Sequence, residues 1–175
     1  MKETLKILYD AREIDQRVDK LAAGIRASFP PDAEVLCVCV LKGAFMFFSD
    51  LVRRLGENTV CAFIRVSSYG DGTVSGGSVR LVGDFSENVS GKNVLIIDDI
   101  MDSGLSMEFL MRYFAERGAE KIRTACLIDK PQARVNGLKP DFSAFTLTES
   151  RFVVGYGLDR AQRFRNLPEI CYFDG

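Results

Sequence analysis

The chain is 175 residues long, 47% hydrophobic and nearly balanced in charge, with 23 basic residues against 24 acidic and a pI near 5.6. This length predicts a single domain over residues 1–175 that buries about 70% of its unfolded surface, and the charge balance argues against a nucleic-acid partner, whose domains usually have a pI above about 9. With neither a charged-then-apolar leader nor a run of about 18 apolar residues, a cytoplasmic protein with no membrane partner is expected.

In chain order, Asp10–Phe29 carries Ile14, Val18, Leu21 and Ile25 at helical spacing, and Pro30-Pro31 stops it. Val35–Leu41 reads as a buried strand, followed by the turn Lys42-Gly43 and a helix through Leu55 rich in phenylalanine. Thr59–Val66 is a second strand. Ser67–Gly77 has almost nothing apolar to bury and is expected to be a mobile flap, with Val79–Gly83 returning from it. Asn93–Asp99 is the central strand, Leu105–Arg117 an amphipathic helix and Lys121–Asp129 a further strand. This alternation predicts an α/β fold with a mostly parallel, doubly wound sheet. The short apolar pieces Phe142–Phe145, Phe152–Gly155 and Glu169–Phe173 are expected to form a small C-terminal hood from about residues 140–175 with the N-terminal segment.

The stretch Val94–Ser106, VLIIDDIMDSGLS, is the most informative about function. A strand apolar enough to be covered on both faces runs into the carboxylates Asp98, Asp99 and Asp102. The small residues Ser103, Gly104 and Ser106 then lead into the helix that begins at Leu105. Small residues let backbone N–H groups close around an anion, and the helix N-terminus adds about half a positive charge. Carboxylates repel phosphate, so a site holding both needs a divalent cation, a sugar hydroxyl donor or a proton to transfer. Asp98 and Asp99 are placed to accept from ribose hydroxyls, and Asp102, inside the loop, to act as general acid or base.

The chain contains no histidine. Ser-His-Asp and Cys-His chemistry and imidazole metal sites are therefore excluded, and acid–base work falls to carboxylates or lysine. A metal here is oxygen-ligated, and the phosphate context favours magnesium, with Asp98 and Asp99 as donors. The five cysteines, Cys37, Cys39, Cys61, Cys126 and Cys171, lie in strand-like apolar runs with no CxxC pattern and are expected to be reduced core thiols. Chelation of a soft metal by Cys37 and Cys39 from one strand face is the less favoured alternative.

The run DDIMDSGLS resembles the phosphoribosyl-pyrophosphate motif of the type I phosphoribosyltransferases, most closely their hypoxanthine-guanine members, with Asp98 where glutamate is usual and Ser103 and Ser106 where threonine is common. The similarity continues in the family's order through LKGA (Leu41–Ala44), SSYG (Ser67–Gly70), Asp129-Lys130, KPDF (Lys139–Phe142), FVVGYGLD (Phe152–Asp159) and FRNLP (Phe164–Pro168). The resemblance implies transfer of a phosphoribosyl group from phosphoribosyl pyrophosphate to a 6-oxopurine with Mg2+, in a homodimer or homotetramer. It further implies that Leu41, Lys42 and Gly43, joined by a cis Leu-Lys peptide, bind pyrophosphate together with Arg165. By the same resemblance Ser68 and Tyr69 are flap contacts, Lys130 donates to the purine oxygen, Phe152 stacks on the base, Val153 presents backbone groups to its edge, and Asp159 completes the metal set. Ala44 departs from the family, which usually has a second glycine there. Arg151, Arg160 and Arg163 have no counterpart role and are expected on a solvated face.

Two other classes compete. A phospho-receiver domain also places an acidic pair after a strand, but near its N-terminus, whereas here the pair lies past mid-chain. An RNA-binding regulator on the same fold would need a basic face that this composition lacks.

Overall fold

Three apolar runs become adjacent parallel strands, and their common direction brings three polar turns to one edge. The computed structural model describes residues 4–69 and 78–174. The elements are β1 (Thr4–Tyr9), α1 (Ala11–Ala27), β2 (Val35–Leu41), α2 (Phe45–Val52), β3 (Thr59–Tyr69), β4 (Ser78–Leu81), β5 (Asn93–Met101), α3 (Leu105–Ala115), β6 (Lys121–Asp129), β7 (Phe142–Thr146), β8 (Val153–Val154) and β9 (Ile170–Asp174), with a 3-10 turn at Pro131–Ala133. The main sheet has the order β4-β3-β2-β5-β6-β7; all pairs are parallel except β3 with β4. The chain leaves β2 on one side for β3 and returns on the other as β5, so the strand order reverses between β2 and β5. Crevices at such a reversal, beyond the strands' C-terminal ends, are the usual ligand sites of open α/β sheets.

Both faces of the sheet are covered, which is why its central strands read as unbroken apolar runs. Cys37, Cys39, Leu95 and Ile97 pack with Ile14, Val18 and Ile25 of α1 and Phe47 and Leu51 of α2. Their neighbours Leu36, Val38, Val94 and Ile96 pack with Met107, Leu110 and Phe114 of α3. Helix α1 starts at Asp10, whose carboxylate accepts from Glu13 N at 2.8 Å, satisfying one of the free N–H groups of its first turn.

The tail departs from expectation. β7 is an edge strand of the main sheet, parallel to β6. Asp141 fixes it there: its Oδ2 accepts from Thr124 N at 2.8 Å and Thr124 Oγ1 at 2.9 Å, while Thr124 Oγ1 accepts from Asp141 N at 2.9 Å. The KPDF segment is thus a joint between strands. The hood is a three-stranded antiparallel sheet, β1-β9-β8. β1 carries no alternation that points to a core, and Leu5 and Ile7 are exposed, so it is defined by its partner β9 rather than by its own pattern. Tyr9 stacks on Phe145 at 3.9 Å between ring centroids and ties the hood to β7.

Other readings are also corrected. Ser67–Tyr69, expected to open a flap, extends β3 and pairs with Ser78–Arg80 of β4, while residues 70–77 of the expected flap lie outside the described residues. Cys61 is exposed on β3 rather than in the core; Cys37, Cys39, Cys126 and Cys171 are buried. Burial pushes the Cys37 and Cys39 thiols up to about 12, so both stay protonated.

The Thr124–Asp141 joint yields a stability prediction. Asp141→Ala leaves the covered Thr124 N–H and hydroxyl without their acceptor and is expected to cost about 1–3 kcal/mol, read as a lower denaturant midpoint at unchanged m. Turnover per folded molecule is expected to be unchanged.

Candidate active site

Lys42, Asp102 and Lys130 each directly follow the last residue of one of three adjacent parallel strands, β2, β5 and β6. Between β2 and β5 lies a cavity of about 290 Å³ lined by Leu41, Asp98 and Asp99 of the strands, Lys42 and Gly43 of the turn after β2, Ser106 of the first turn of α3, and Asp159 and Arg165 from the loop after β8. A roomier groove of about 650 Å³ lies at the opposite sheet edge, around Phe29, Pro30, Val35 and Thr59, away from every residue singled out by the motifs.

Asp98 is buried, and its carboxyl accepts from Asp99 N at 2.9 Å. Burial, reinforced by the Asp99 charge, pushes the Asp98 carboxyl well above the usual carboxylate range. Asp99 accepts from Ile100 N at 2.9 Å and lies directly against Gly43: a Cβ at residue 43 would stand 1.6 Å from Asp99 Oδ2. Only glycine lets the Lys42-Gly43 turn approach the acid pair this closely. The Leu41-Lys42 peptide is cis, as the resemblance implied. Ala44 is accommodated because it caps α2 with φ −75°, an angle any L-residue adopts; its methyl is buried in the core, and its carbonyl accepts from Phe48 N at 2.7 Å.

Asp102 is exposed, and its Oδ1 accepts from Ser103 N at 2.6 Å. Gly104 then takes φ +83°, Leu105 N donates to Ser103 Oγ at 3.4 Å, and α3 begins. Loop, helix N-terminus and acid pair meet as the sequence predicted.

From the hood side, Asp159 and Arg165 pair at 2.6 Å, Asp159 Oδ2 also accepts from Gln162 N at 2.8 Å, and Arg165 Nη1 donates to Gly157 O at 2.7 Å. Gln162 Oε1 accepts from Lys42 Nζ at 3.5 Å and from Arg165 Nη2 at 3.4 Å, so it links the two cationic residues expected at pyrophosphate. Gly157 packs onto the carbonyl of Gly43, where a Cβ would stand 2.2 Å away. These contacts hold the Asp159 loop against the Lys42 turn.

Lys130 is half-buried, donates to Arg151 O at 2.8 Å and is lowered from its ordinary pKa by burial, with the Asp102 charge opposing. Val153 is buried, whereas Phe152 next to it is 61% exposed, an aromatic face open to a flat ligand rather than a core ring. Arg160 and Arg163 are exposed, as the expected solvated face requires, and Arg151 is partly covered; the guanidinium groups of Arg151 and Arg160 also lie 4.6 Å and 4.5 Å from the ring centres of Tyr172 and Phe173 in the hood.

Two residues escaped the sequence reading. Gln162 has no chemistry that marks it, and its position comes from a left-handed turn, φ +65°. Arg134 donates from Nε to Asp102 O and from Nη2 to Met101 O, at 2.8 and 2.9 Å, behind the acidic loop.

A phosphoribosyl transferase domain model matches residues 4–161, and the chain belongs to that family. Within it, the chain is 42% identical over 165 residues to the hypoxanthine-guanine phosphoribosyltransferase of Bacillus subtilis, covering 94% of this chain and 91% of that one. It is 38% identical over 166 residues to the enzyme of the same name from Aquifex aeolicus, covering 95% and 93%. A crystal structure of a hypoxanthine-guanine phosphoribosyltransferase from Bacillus anthracis superposes with a TM-score of 0.91 at 35% identity, covering 98% of this chain and 99% of that one.

The buried acid makes ligand-free stability depend on pH. The folded Asp98 carboxyl titrates above its unfolded value, so its contribution is full below the ordinary carboxylate range and is lost as pH rises through the raised folded value. Asp98→Asn removes that loss. Calorimetry of the ligand-free proteins is expected to show the variant's melting temperature pulling ahead of the parent's as pH rises from 4 to 8, about 4 units; a gap independent of pH would contradict it.

Proposed function

We propose that this chain transfers the 5-phosphoribosyl group from phosphoribosyl pyrophosphate to hypoxanthine, guanine or both, releasing pyrophosphate and forming IMP or GMP. The carrying observation is that the Lys42-Gly43 turn, the acids with their Ser-Gly loop, and Lys130 with the exposed Phe152 all converge on one sheet edge. Its full-length relatives bear the name of that activity. The reading includes assembly as a homodimer or homotetramer.

Each part has a physical task. N–H groups of the loop Ser103–Ser106 and the N-terminus of α3 bind the 5′-phosphate, and Asp98 and Asp99 bind the ribose hydroxyls. The Leu41–Gly43 turn and Arg165 bind pyrophosphate. As the bond to pyrophosphate breaks, the ribose gains oxocarbenium character, which nearby carboxylate charge stabilises. Asp102, held by Ser103 N, takes the proton from the attacking purine nitrogen. Phe152 stacks on the base, Val153 meets its edge, and Lys130 donates to the 6-oxo group.

The donor set fits magnesium. The chain offers oxygen ligands and no imidazole, and among the described residues no three acids, cysteines or histidines gather into a closed protein cage. A cation that keeps most of its ligands from water and phosphate suits such a site. Asp159, with Asp98 and Asp99, would hold it. Bound there, it would neutralise the pyrophosphate leaving group.

Asp102→Asn is expected to bind nucleotide nearly as well as the parent but to turn over about 10²–10⁴-fold more slowly, the usual scale for a lost general base. Near-normal turnover would make Asp102 a loop residue and remove it from the chemistry.

The specificity prediction rests on Lys130. A 6-oxo oxygen accepts from the ammonium, whereas adenine's amino group presents hydrogens to a group with only donors. Two unmatched donors in a covered pocket should cost more than one charged hydrogen bond, so adenine is expected to be used at least about 10²-fold less well than hypoxanthine. Lys130→Met should lower kcat/KM for hypoxanthine and guanine by about 10–100-fold and leave adenine nearly unchanged. A coupled assay with all three bases tests both the activity and this account of its selectivity.

A further inference from the structure

We propose that Arg134 is a positioning residue for the proton acceptor Asp102, acting through the Asp102–Ser103 peptide plane. The inference rests on the reading of Asp102 as general base and adds to it the group that aims it. Arg134 follows the 3-10 turn after β6, and its side chain is only 7% exposed. All three of its guanidinium nitrogens are engaged: Nε with Asp102 O at 2.8 Å, Nη2 with Met101 O at 2.9 Å and with the Asp129 carboxylate, and Nη1 with Leu138 O. Asp129, the last residue of β6, is itself 15% exposed and supplies the counter-charge that a covered guanidinium requires.

The remaining contacts of this segment have the same target. Met101 O also accepts from Lys130 N at 3.0 Å, and Ser103 O accepts from Val135 N at 3.1 Å. Three consecutive carbonyls, those of Met101, Asp102 and Ser103, are therefore held from behind by residues 130–135. In a planar trans peptide the C=O and the following N–H point in opposite directions. Holding Asp102 O thus turns Ser103 N–H to the other side of the loop, where it donates to Asp102 Oδ1 at 2.6 Å. One peptide plane carries the guanidinium on its oxygen and the catalytic carboxylate on its hydrogen. The loop has little freedom to find this orientation otherwise, because Gly104 stands at φ +83° with Asn136 Oδ1 and Arg134 Cδ filling the space where a Cβ would be.

Lysine cannot replace this arrangement, since a single ammonium lacks the planar fork that spans two successive carbonyls and a carboxylate. Arg134→Lys is therefore expected to lower kcat for hypoxanthine by about 10–100-fold, the scale of a catalytic group displaced by about an ångström, while KM for the base moves less than about 3-fold. The deciding experiment is a double-mutant cycle with Asp102→Asn, read as kcat and as the acidic limb of the pH–rate profile. Once Asp102 has lost its carboxylate, Arg134→Lys should cost less than about 3-fold more, and the Arg134→Lys single variant should show a displaced acidic limb. If Asp102→Asn is impaired but Arg134→Lys is equally harmful in both backgrounds, Arg134 is a scaffold residue and this proposal falls alone. If Asp102→Asn turns over normally, the base assignment falls and takes the proposal with it. Arg123→Met, which breaks the 2.9 Å Arg123–Asp141 pair at the other end of β6, is the control and should lower the melting temperature without moving the pH profile. Should Arg134→Lys fail to fold, Asp129→Asn enters the cycle in its place. That variant keeps the side-chain shape, frees the guanidinium from its counter-charge and is expected to show the same non-additivity, with additive losses overturning the proposal.

Discussion

Parallel pairing of β2, β5 and β6 is the constraint on which the rest depends. Strands running the same way end at the same edge, so whatever follows each of them is delivered to one place. The pairings Cys39↔Ile97 and Met101↔Asp129 set how far each strand projects, and hence the relative heights of Lys42, Asp102 and Lys130. The cost of a parallel sheet is that both faces must be covered, and the two apolar layers against α1 with α2 and against α3 do this. Core and site are two results of one pairing pattern.

On that edge the governing problem is electrostatic. Three carboxylates stand within five residues at the end of β5, two of them lining the crevice, and each is managed differently. Asp98 is covered and pushed toward its neutral form; Asp99 is pressed onto a glycine and a backbone N–H; Asp102 is left exposed on the loop. Identical side chains within five residues thus acquire different burial, different hydrogen-bond partners and different access to solvent, as the proposed binding of a sugar and transfer of a proton would require.

Much of this was legible in the sequence, for reasons that also explain what was not. β2 and β6 were read to their end residues because strands covered on both faces are continuous apolar runs with polar stops. The acidic loop was legible because its chemistry lies within nine consecutive residues. β1 was not, since a mostly exposed strand has no apolar face to advertise, and β7 was taken for hood because its neighbour is fixed by Asp141 and Thr124, residues whose pairing no local pattern reveals. Arg134 and Gln162 were missed for a related reason: their significance lies in contacts with the acidic loop and with Lys42, 32 and 120 residues away in the chain. The roles proposed for Lys130, Phe152 and Asp159 rest on the family motifs, because composition and spacing alone leave them open.

The Asp159–Arg165 pair gives the free protein an internal placeholder. Guanidinium and carboxylate neutralise one another across 2.6 Å at the place where the proposed reaction would receive a diphosphate. An anion that captures Arg165 strands the Asp159 charge, and a cation that captures Asp159 strands that of Arg165. Either guest arriving alone exchanges one ion pair for another and gains little, whereas both together replace one neutral pair with two. The pair therefore makes the affinities of the two guests mutually dependent, each tightening the other by the same factor, and it disfavours lone inorganic anions that would otherwise lodge in a basic crevice.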